Sequence, residues 1–180
     1  MLPGDRVRLR AIEREDIPRF LRWLNDPEVI HFLTIYIPMS RDEEERWFEQ
    51  QLQDRSKKIL AIETETGEHI GNVGLEDVDW KNRLATLGIV IGEKKFWGKG
   101  YGTAAIRALL RFAFEEMNLN RVHLTVFDYN ERARRCYRRC GFIEEGVARQ
   151  AHFSRGQYHD LVWMSILREE WERQPKSPLP

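Results

Sequence analysis

The chain has 180 residues, of which 42% are hydrophobic and 32% are charged, and this size and composition suit one domain with a sizeable core. Lys plus Arg and Asp plus Glu number 29 each, so no excess of charge draws the molecule to nucleic acid or to an anionic membrane, and neither is predicted as a partner. Charged residues interrupt every apolar stretch, and the N-terminal residues lack the apolar segment of a secretory signal, so we expect a cytoplasmic protein without a membrane helix.

The first half of the chain predicts a strand, two helices and three further strands. VRLRAI (7–12) alternates as a half-buried strand does, and DIPRFLRWLND (16–26) carries its apolar residues at helical spacing until Asp26-Pro27 ends the helix. Ser40 and Glu43 have the spacing of a capping box at the start of a second helix over 40–54. Short turns separate three strand patterns, so antiparallel neighbours are expected: KILAIET (58–64), IGNVGLEDVDW (70–80) and ATLGIVIG (85–92).

The second half predicts a helix, a strand, a helix and a closing hairpin. A helix with an apolar stripe follows glycines 98, 100 and 102, and RVHLTVFD (121–128) is a strand pattern. The helix NERARRCYRRC (130–140) ends at Gly141, and FIEEGVARQAHF and QYHDLVWMSIL form the hairpin. We therefore predict one α/β (α+β) domain over 1–171, a mixed, mostly antiparallel sheet of about six to seven strands flanked by about four helices. The tail over 172–180, with three prolines in its last six residues, is expected to be disordered.

The cysteines and histidines give no sign of a disulfide or a metal site. Cys136 and Cys140 lie four residues apart within a helical pattern, which is neither a C-x-x-C motif nor a disulfide framework, so reduced thiols are expected. The five histidines do not have the spacing of metal ligands, and no metal is predicted.

The stretch FWGKGYGTAAIRALL (96–110) favours an anion site but matches neither of two common phosphate loops. The triphosphate loop requires a Ser or Thr after its Gly-Lys pair, but Gly98-Lys99 is followed by Gly100. The third glycine comes one position too early for the dinucleotide fingerprint. Glycines still allow backbone amides to approach a ligand closely, and a helix N-terminus without acidic residues favours an anion. A tight strand-to-helix connection explains the same glycines, and the spacing does not decide between the two.

Two motifs resemble the GNAT superfamily of N-acetyltransferases. WGKGYGTAA resembles its acyl-CoA loop, Gln/Arg-x-x-Gly-x-Gly/Ala, with Trp97 in the first position and Gly100 and Gly102 in the glycine positions. NERARRCYRRCGF (130–142) is similar to the superfamily pattern Asn-x-x-Ala-x-x-x-Tyr-x-x-x-Gly-Phe. The tryptophan departs from the general pattern, but it and both ends of the chain resemble the branch with ribosomal-protein N-terminal (alanine/serine) acetyltransferases and spermidine acetyltransferases. The resemblance spans nearly the whole chain.

The resemblance implies an acetyl-CoA-dependent N-acetyltransferase in which a primary amine attacks the thioester directly in a ternary complex. The loop amides are expected to hold the pyrophosphate of coenzyme A, and backbone groups around Ile89 and Ile91 to orient the acetyl carbonyl. Tyr137 is the implied catalytic acid, which protonates the departing thiolate. The implied cofactor-binding residues are Ile89, Ile91, Trp97, Gly98, Lys99, Gly100, Tyr101, Gly102, Thr103 and Asn130.

Each of these residues also has a structural explanation. Tyr137 lies on the apolar stripe of its helix and suits a core position, and Asn130 suits a helix N-cap. The arginines of the same helix suit either a solvated face or a patch for the 3′-phosphate of the coenzyme or an acidic partner. The acidic run 42–45 is explained by the helix dipole or by attraction of a polycation.

The general base and the acceptor amine are left open by the sequence. Thr86 stands where many relatives carry a glutamate, and the unranked candidates for the base are Glu76, Asp77, Asp79 and His152. A protein N-terminal α-amine, a polyamine and a small amine metabolite all fit, with the choice assigned to loops such as 26–42 and 150–158. A homodimer is among the arrangements that the family allows. The alternative function is a non-catalytic acyl-CoA-binding sensor.

Overall fold

An eight-stranded sheet organises residues 1–174, the part of the chain that the computed structural model describes. Of the helices in that part, none is long and apolar enough to cross a membrane. The strands are β1 Leu2–Pro3, β2 Val7–Ala11, β3 Lys58–Thr64, β4 His69–Asp79, β5 Leu84–Ile91, β6 Arg121–Phe127, β7 Ile143–Ser154 and β8 Gln157–Leu167. The helices are α1 Ile17–Leu24, α2 Pro27–Ile30, α3 Arg41–Gln53, α4 Tyr101–Arg111, α5 Glu131–Arg139 and α6 Arg168–Glu172.

The sheet is antiparallel except at one junction. Its strand order is β1-β2-β3-β4-β5-β6-β8-β7, and β5 and β6 are the only parallel neighbours in the described residues. Their pairing begins at Leu84 with Arg121 and ends at Thr86 with His123. Beyond Thr86 the two strands separate, which leaves a V-shaped opening at the centre of the sheet. The predicted α/β class is confirmed, and the eight strands and six helices exceed the predicted numbers.

Helices cover the two faces of the sheet and form two apolar clusters. Neighbouring residues on a strand point to opposite faces, and on β3 Ala61 belongs to one cluster while Ile62 belongs to the other. Helix α4 packs on the Ile62 face through its own buried apolar residues. Helices α1 and α3 pack on the Ala61 face, where Phe20 and Phe48 are buried. The two clusters therefore lie on opposite faces of the sheet.

Local chemistry fixes the helix ends as the sequence predicts. The Ser40 hydroxyl accepts a hydrogen bond from the Glu43 amide (3.3 Å), and the Glu43 carboxylate accepts one from the Ser40 amide (2.8 Å), so the capping box of α3 is confirmed. Gly141 follows α5 with a φ of 92°, in the left-handed region that glycine tolerates best. The two cysteines of this segment, Cys136 and Cys140, are free.

A buried ionic network joins the start of α1 to the sheet. Asp16 is 2% exposed and accepts hydrogen bonds from Arg10 (2.7 and 2.8 Å) and from His69 Nδ1 (2.9 Å). Burial opposes the charge of Asp16, but these hydrogen bonds outweigh burial and hold its pKa well below the usual range. His69 Nε2 donates to the Gly71 carbonyl (3.0 Å) and lies 3.1 Å from Asn72 Oδ1. The network thus fixes the segment of β4 from which Asn72 projects.

Three short elements were not predicted, and the C-terminal tail differs in part from its prediction. Strand β1 is too short for a pattern, and α2 begins where Asp26-Pro27 was expected only to end a helix. Helix α6 ends at Glu172, and Gln174 donates to the Cys140 carbonyl (3.2 Å), so the prediction of disorder from 172 is wrong for residues 172–174. The rest of the predicted tail, 175–180, lies outside the described residues.

Candidate active site

The opening exposes one edge of β5. The Gly92 amide donates to the Ile70 carbonyl of β4 (2.9 Å). Because backbone groups alternate in direction along a strand, those of Ile89 and Ile91 then face away from β4 and towards the opening. The Ile91 carbonyl accepts a hydrogen bond there from Trp97 Nε1 (2.6 Å). The predicted carbonyl-orienting segment therefore presents its backbone to the central gap.

The glycine loop enters α4 through two left-handed residues. Gly98 has a φ of 71° and Gly100, the N-cap of α4, a φ of 89°, which explains why glycine occupies both positions. The first turn of α4 contains no acidic residue, and its initial amides have no helical acceptor. Arg6 Nη1 donates to the Lys99 carbonyl (2.7 Å) and ties the loop to the segment between β1 and β2. This end of α4 suits an anion such as a pyrophosphate.

A cavity of about 300 Å³ lies over this loop, between β5, α4 and α5. Two of the predicted cofactor residues do not line it. Tyr101 packs against Phe96 (ring centroids 4.9 Å apart) beneath the Arg6 guanidinium (4.8 Å), and the Lys99 side chain is exposed. The other predicted residues that line this cavity are Ile89, Ile91, Trp97, Gly98, Gly100, Gly102, Thr103, Asn130 and Tyr137.

Helix α5 supplies a cap and a buried phenol to the same cavity. Asn130 Oδ1 accepts a hydrogen bond from the Ala133 amide (3.2 Å), so Asn130 is the N-cap and also a cavity residue. Tyr137 is 8% exposed, and burial raises its pKa above the ordinary value for tyrosine. The phenol therefore keeps its proton at neutral pH. Tyr137 packs in the core, as its apolar stripe predicts, and it also reaches the cavity, whereas its role as catalytic acid stays a prediction.

The arginines of α5 divide into two groups. Arg134 and Arg138 bind the Glu144 carboxylate (3.1 and 2.5 Å), as a solvated face predicts. The guanidinium of Arg132 instead lies 3.9 Å from the ring centroid of Trp97 and 4.9 Å from that of Phe32, and burial lowers the pKa of Arg132. The arginines that line the cavity over the loop are Arg132, Arg135 and Arg139.

A second cavity, of about 750 Å³, lies on the side of the sheet that α1 and α3 cover. Its lining comes from α1, α3 and every strand from β3 to β8, together with the segment between α2 and α3. We refer to the first cavity as the loop cavity and to this one as the wide cavity. The residues common to both linings are Phe32, Leu33, Ile89, Val90, Asn130 and Tyr137. The two cavities thus meet at the opening between β5 and β6.

Three of the four candidate bases line the wide cavity. A bulge in β4, where Asp77 has a φ of 50°, brings Glu76 and Asp77 to its wall. Glu76 is paired with Lys57 (3.4 Å). His152 stacks on Phe127 (4.0 Å), and burial lowers its pKa. Asp79 does not line this cavity and instead accepts hydrogen bonds from the Asn82 amide (2.9 Å) and side chain (2.6 Å) in the following turn.

Several lining residues were not assigned to the site from the sequence. Val29, Phe32 and Leu33 come from α2 and the following segment, within the loop 26–42 that was assigned to acceptor choice only as a whole. Glu44 lines the wide cavity although it lies in an acidic run. The sequence did contain a sign of this position, because Glu44 lies three residues before Trp47 and four before Phe48 and so shares their face of α3.

Comparison with known proteins gives one family and a set of named relatives. The model of an acetyltransferase (GNAT) domain matches residues 6–143. A putative ribosomal N-acetyltransferase of Bacillus subtilis, YdaF, is 45% identical over 106 residues, which cover 59% of this chain and 57% of that relative. The spermidine N(1)-acetyltransferase of Vibrio cholerae is 31% identical over 169 residues, which cover 93% of this chain and 96% of the relative.

Solved structures extend this similarity to three dimensions. The crystal structure of spermidine N-acetyltransferase from Vibrio cholerae in complex with CoA and spermine has a TM-score of 0.88 and 28% sequence identity. The match covers 93% of this chain and 99% of that one. Sequence and structure therefore agree over nearly the whole chain.

Proposed function

Because the chain belongs to the GNAT family of acetyltransferases, which use acetyl-CoA, we propose that it transfers the acetyl group to a primary amine by direct attack in a ternary complex. One observation carries the proposal. Two cavities with different linings meet at a single opening, and their shared lining includes Ile89 and Tyr137. Two substrates can therefore reach one point from two directions, which direct transfer requires.

The loop cavity is the proposed site of acetyl-CoA. The amides of Gly98 and of residues 100–103 offer hydrogen bonds to the pyrophosphate, whereas the Lys99 amide donates to the Phe96 carbonyl (3.4 Å). The helix dipole of α4 adds to their attraction. The lining contains three arginines and no carboxylate, which suits the phosphates of the coenzyme: Arg132, Arg135 and Arg139. Lys99 and Tyr101 contribute through the backbone of the loop. The pantetheine arm then follows the exposed edge of β5 to Ile89.

At the opening, the amine nitrogen forms a bond to the thioester carbonyl carbon. The carbonyl oxygen takes up negative charge beside the Ile89 backbone, where a fixed donor is worth about 3 kcal/mol in the transition state. Collapse of this intermediate breaks the carbon–sulfur bond. Tyr137 gives its proton to the leaving thiolate, and the proton of the amine passes to a base in the wide cavity. The products are an N-acetylated amine and coenzyme A with a free thiol.

A polyamine is the proposed acceptor. The lining of the wide cavity contains three carboxylates and no lysine or arginine: Glu44, Glu76 and Asp77. Such a wall attracts a cation. Relatives named spermidine N(1)-acetyltransferase cover almost the whole chain, and this also supports a polyamine. The homodimer and the cytoplasmic location stay predictions.

Release of the coenzyme A thiol tests the proposal. Purified protein is supplied with acetyl-CoA and, in turn, spermidine, N-terminal peptides of ribosomal proteins and small amine metabolites. We expect acetyl-CoA to raise the melting temperature and spermidine to give the fastest thiol release. Stabilisation by acetyl-CoA without thiol release from any amine would contradict transfer and favour the sensor. Fastest release with a peptide would contradict the polyamine assignment alone.

A further inference from the structure

Glu44 differs from the acidic residues on either side of it. The Glu43 carboxylate closes the capping box of α3, and Glu45 binds Arg41 (2.8 Å) at the surface. Glu44 is 2% exposed and lines the wide cavity, and within residues 1–174 its side chain has no hydrogen-bond or ion-pair partner. Helix-dipole complementation explains its neighbours, but it does not require a buried carboxylate at this position.

The surroundings of Glu44 keep water away and supply no counter-charge. Phe20, Trp23 and Trp47 line the same cavity, which contains no lysine or arginine in its lining. Burial raises the pKa of Glu44 to about 7, so that much of it is charged at neutral pH. A buried carboxylate without a partner lowers stability, and such groups are retained mainly at functional sites.

The position of α3 separates Glu44 from the opening. Phe48, one turn further along the same face of α3, packs in a cluster with Ala61 of β3. The acetyl group is placed at β5, two strands away from β3 in the sheet. Glu44 lines the wide cavity but is not among the residues that both cavities share at the opening. It therefore lies apart from the amine that is acetylated.

We propose that Glu44 determines acceptor specificity by forming an ion pair with a second cationic group of the acceptor, away from the amine that is acetylated. The proposal rests on the proposed function. It assigns to Glu44 the binding of the distant end of the acceptor. The acceptor class that follows is an amine with a flexible apolar spacer and a second ammonium group at its far end.

A pair of acceptors of equal length isolates this ion pair. 1,7-Diaminoheptane carries ammonium groups at both ends of an extended chain of suitable length, and heptylamine lacks the second one. In the wild type we expect about a tenfold lower KM for the diamine, as a charge-assisted hydrogen bond provides. Glu44→Gln keeps the shape and loses the charge, so the KM for the diamine should rise about tenfold while that for heptylamine changes less than about twofold.

Glu45→Gln is the matched control, because it removes one charge from the same turn of α3 outside the cavity. It should leave the preference for the diamine unchanged. A Glu44→Gln variant that keeps the preference, or that loses activity towards both amines equally, overturns the proposal. Calorimetric titration of both amines into the CoA-bound protein measures the same preference without turnover. Wild-type protein that binds the diamine through Glu44 but releases no thiol would overturn the proposed function instead.

Discussion

The loop cavity and the wide cavity are built in opposite ways. Most of the loop cavity comes from two continuous stretches, the glycine loop with the start of α4 and the first turns of α5. The wide cavity takes its wall from nine helices and strands that are scattered along the chain. Their charges are opposite as well, since arginines line the first and carboxylates the second. The difference supports the proposal that an anionic and a cationic substrate meet at one opening, with separate determinants of affinity.

Gly100→Val should disrupt the loop cavity and leave the wide cavity unchanged, and its loss of acetyl-CoA affinity is the largest effect that we expect. Gly100 has a φ of 89°, which a β-branched residue does not tolerate, and a Cβ atom there would meet Arg6 Nη1 at 3.4 Å. We expect the affinity for acetyl-CoA to fall by more than about a hundredfold in calorimetry, since the loop amides lose their alignment.

The matched control is Gly67→Val, in the turn between β3 and β4. Gly67 has a similar φ of 81° and lines neither cavity, and a Cβ atom there would have Arg8 Nη2 as its nearest neighbour, at 4.0 Å. This variant should lose stability but keep its affinity for acetyl-CoA. Equal loss of affinity in both variants would mean that backbone strain, rather than the loop, explains the effect.

Tyr137→Phe should affect the point where the cavities meet and leave both binding sites intact. The aromatic ring stays in the core, and only the proton donor is removed. We expect kcat to fall about a hundredfold, with the KM values for acetyl-CoA and amine changed less than about twofold. Tyr158→Phe, at a residue that is 65% exposed, is the control and should be neutral. Wild-type turnover in the Tyr137 variant would exclude the acid role.

The contrast between the cavities also explains what the sequence could predict. The loop was predictable because left-handed residues at Gly98 and Gly100 require glycine, and α5 because Asn130, Tyr137 and Gly141 fall within 12 residues of one another. These constraints are local. They appear as spacings in a short stretch of sequence, and so the two motifs indicated residues of the loop and of α5 that line the loop cavity.

The wide cavity could not be predicted in the same way, because its residues meet only through tertiary packing. Asp26 was interpreted as the end of a helix, but its carboxylate accepts a hydrogen bond from the Glu28 amide (2.9 Å) and starts α2. Glu44 was interpreted through the helix dipole, and its orientation depends on which face of α3 covers the sheet. Asp79 was a candidate base, but it lies at the end of β4, where its carboxylate accepts a hydrogen bond from the Asn82 amide of the following turn instead of lining the cavity.

Glu44→Gln should raise the stability of the protein, because it removes a buried charge from the wall of the wide cavity. The pKa of Glu44 is raised to about 7 in the folded state, from 4.5 in the unfolded chain. The charge therefore destabilises the fold, and this loss develops as the pH rises from about 4.5 to about 7. At pH 8 the variant should unfold with a free energy about 3 kcal/mol higher than the wild type, and near pH 4 the two should be equal.

Urea denaturation across this pH range measures the difference between the two proteins. Glu45→Gln should show no such pH-dependent gain, because Glu45 is only partly buried and is paired with Arg41. A Glu44→Gln variant with the same stability as the wild type at pH 8 would show that the buried carboxylate does not lower the free energy of unfolding. The stability of the protein would then give no reason to assign Glu44 a function.

Trp97→Phe should give the smallest change in kinetics. It tests whether Trp97 contributes to binding of acetyl-CoA or of the amine. Trp97 packs with the apolar cluster of α1 and α3, yet its Nε1 binds the Ile91 carbonyl (2.6 Å) and its ring supports Arg132. Phenylalanine keeps a ring face for Arg132 and loses the hydrogen bond, which is worth about 1 kcal/mol. We expect the KM for acetyl-CoA to rise about fivefold with kcat unchanged, whereas Trp80→Phe, at an exposed residue, should have no effect. A rise in the KM for the amine instead would assign Trp97 to the wide cavity, and the two sites would then share a determinant of affinity.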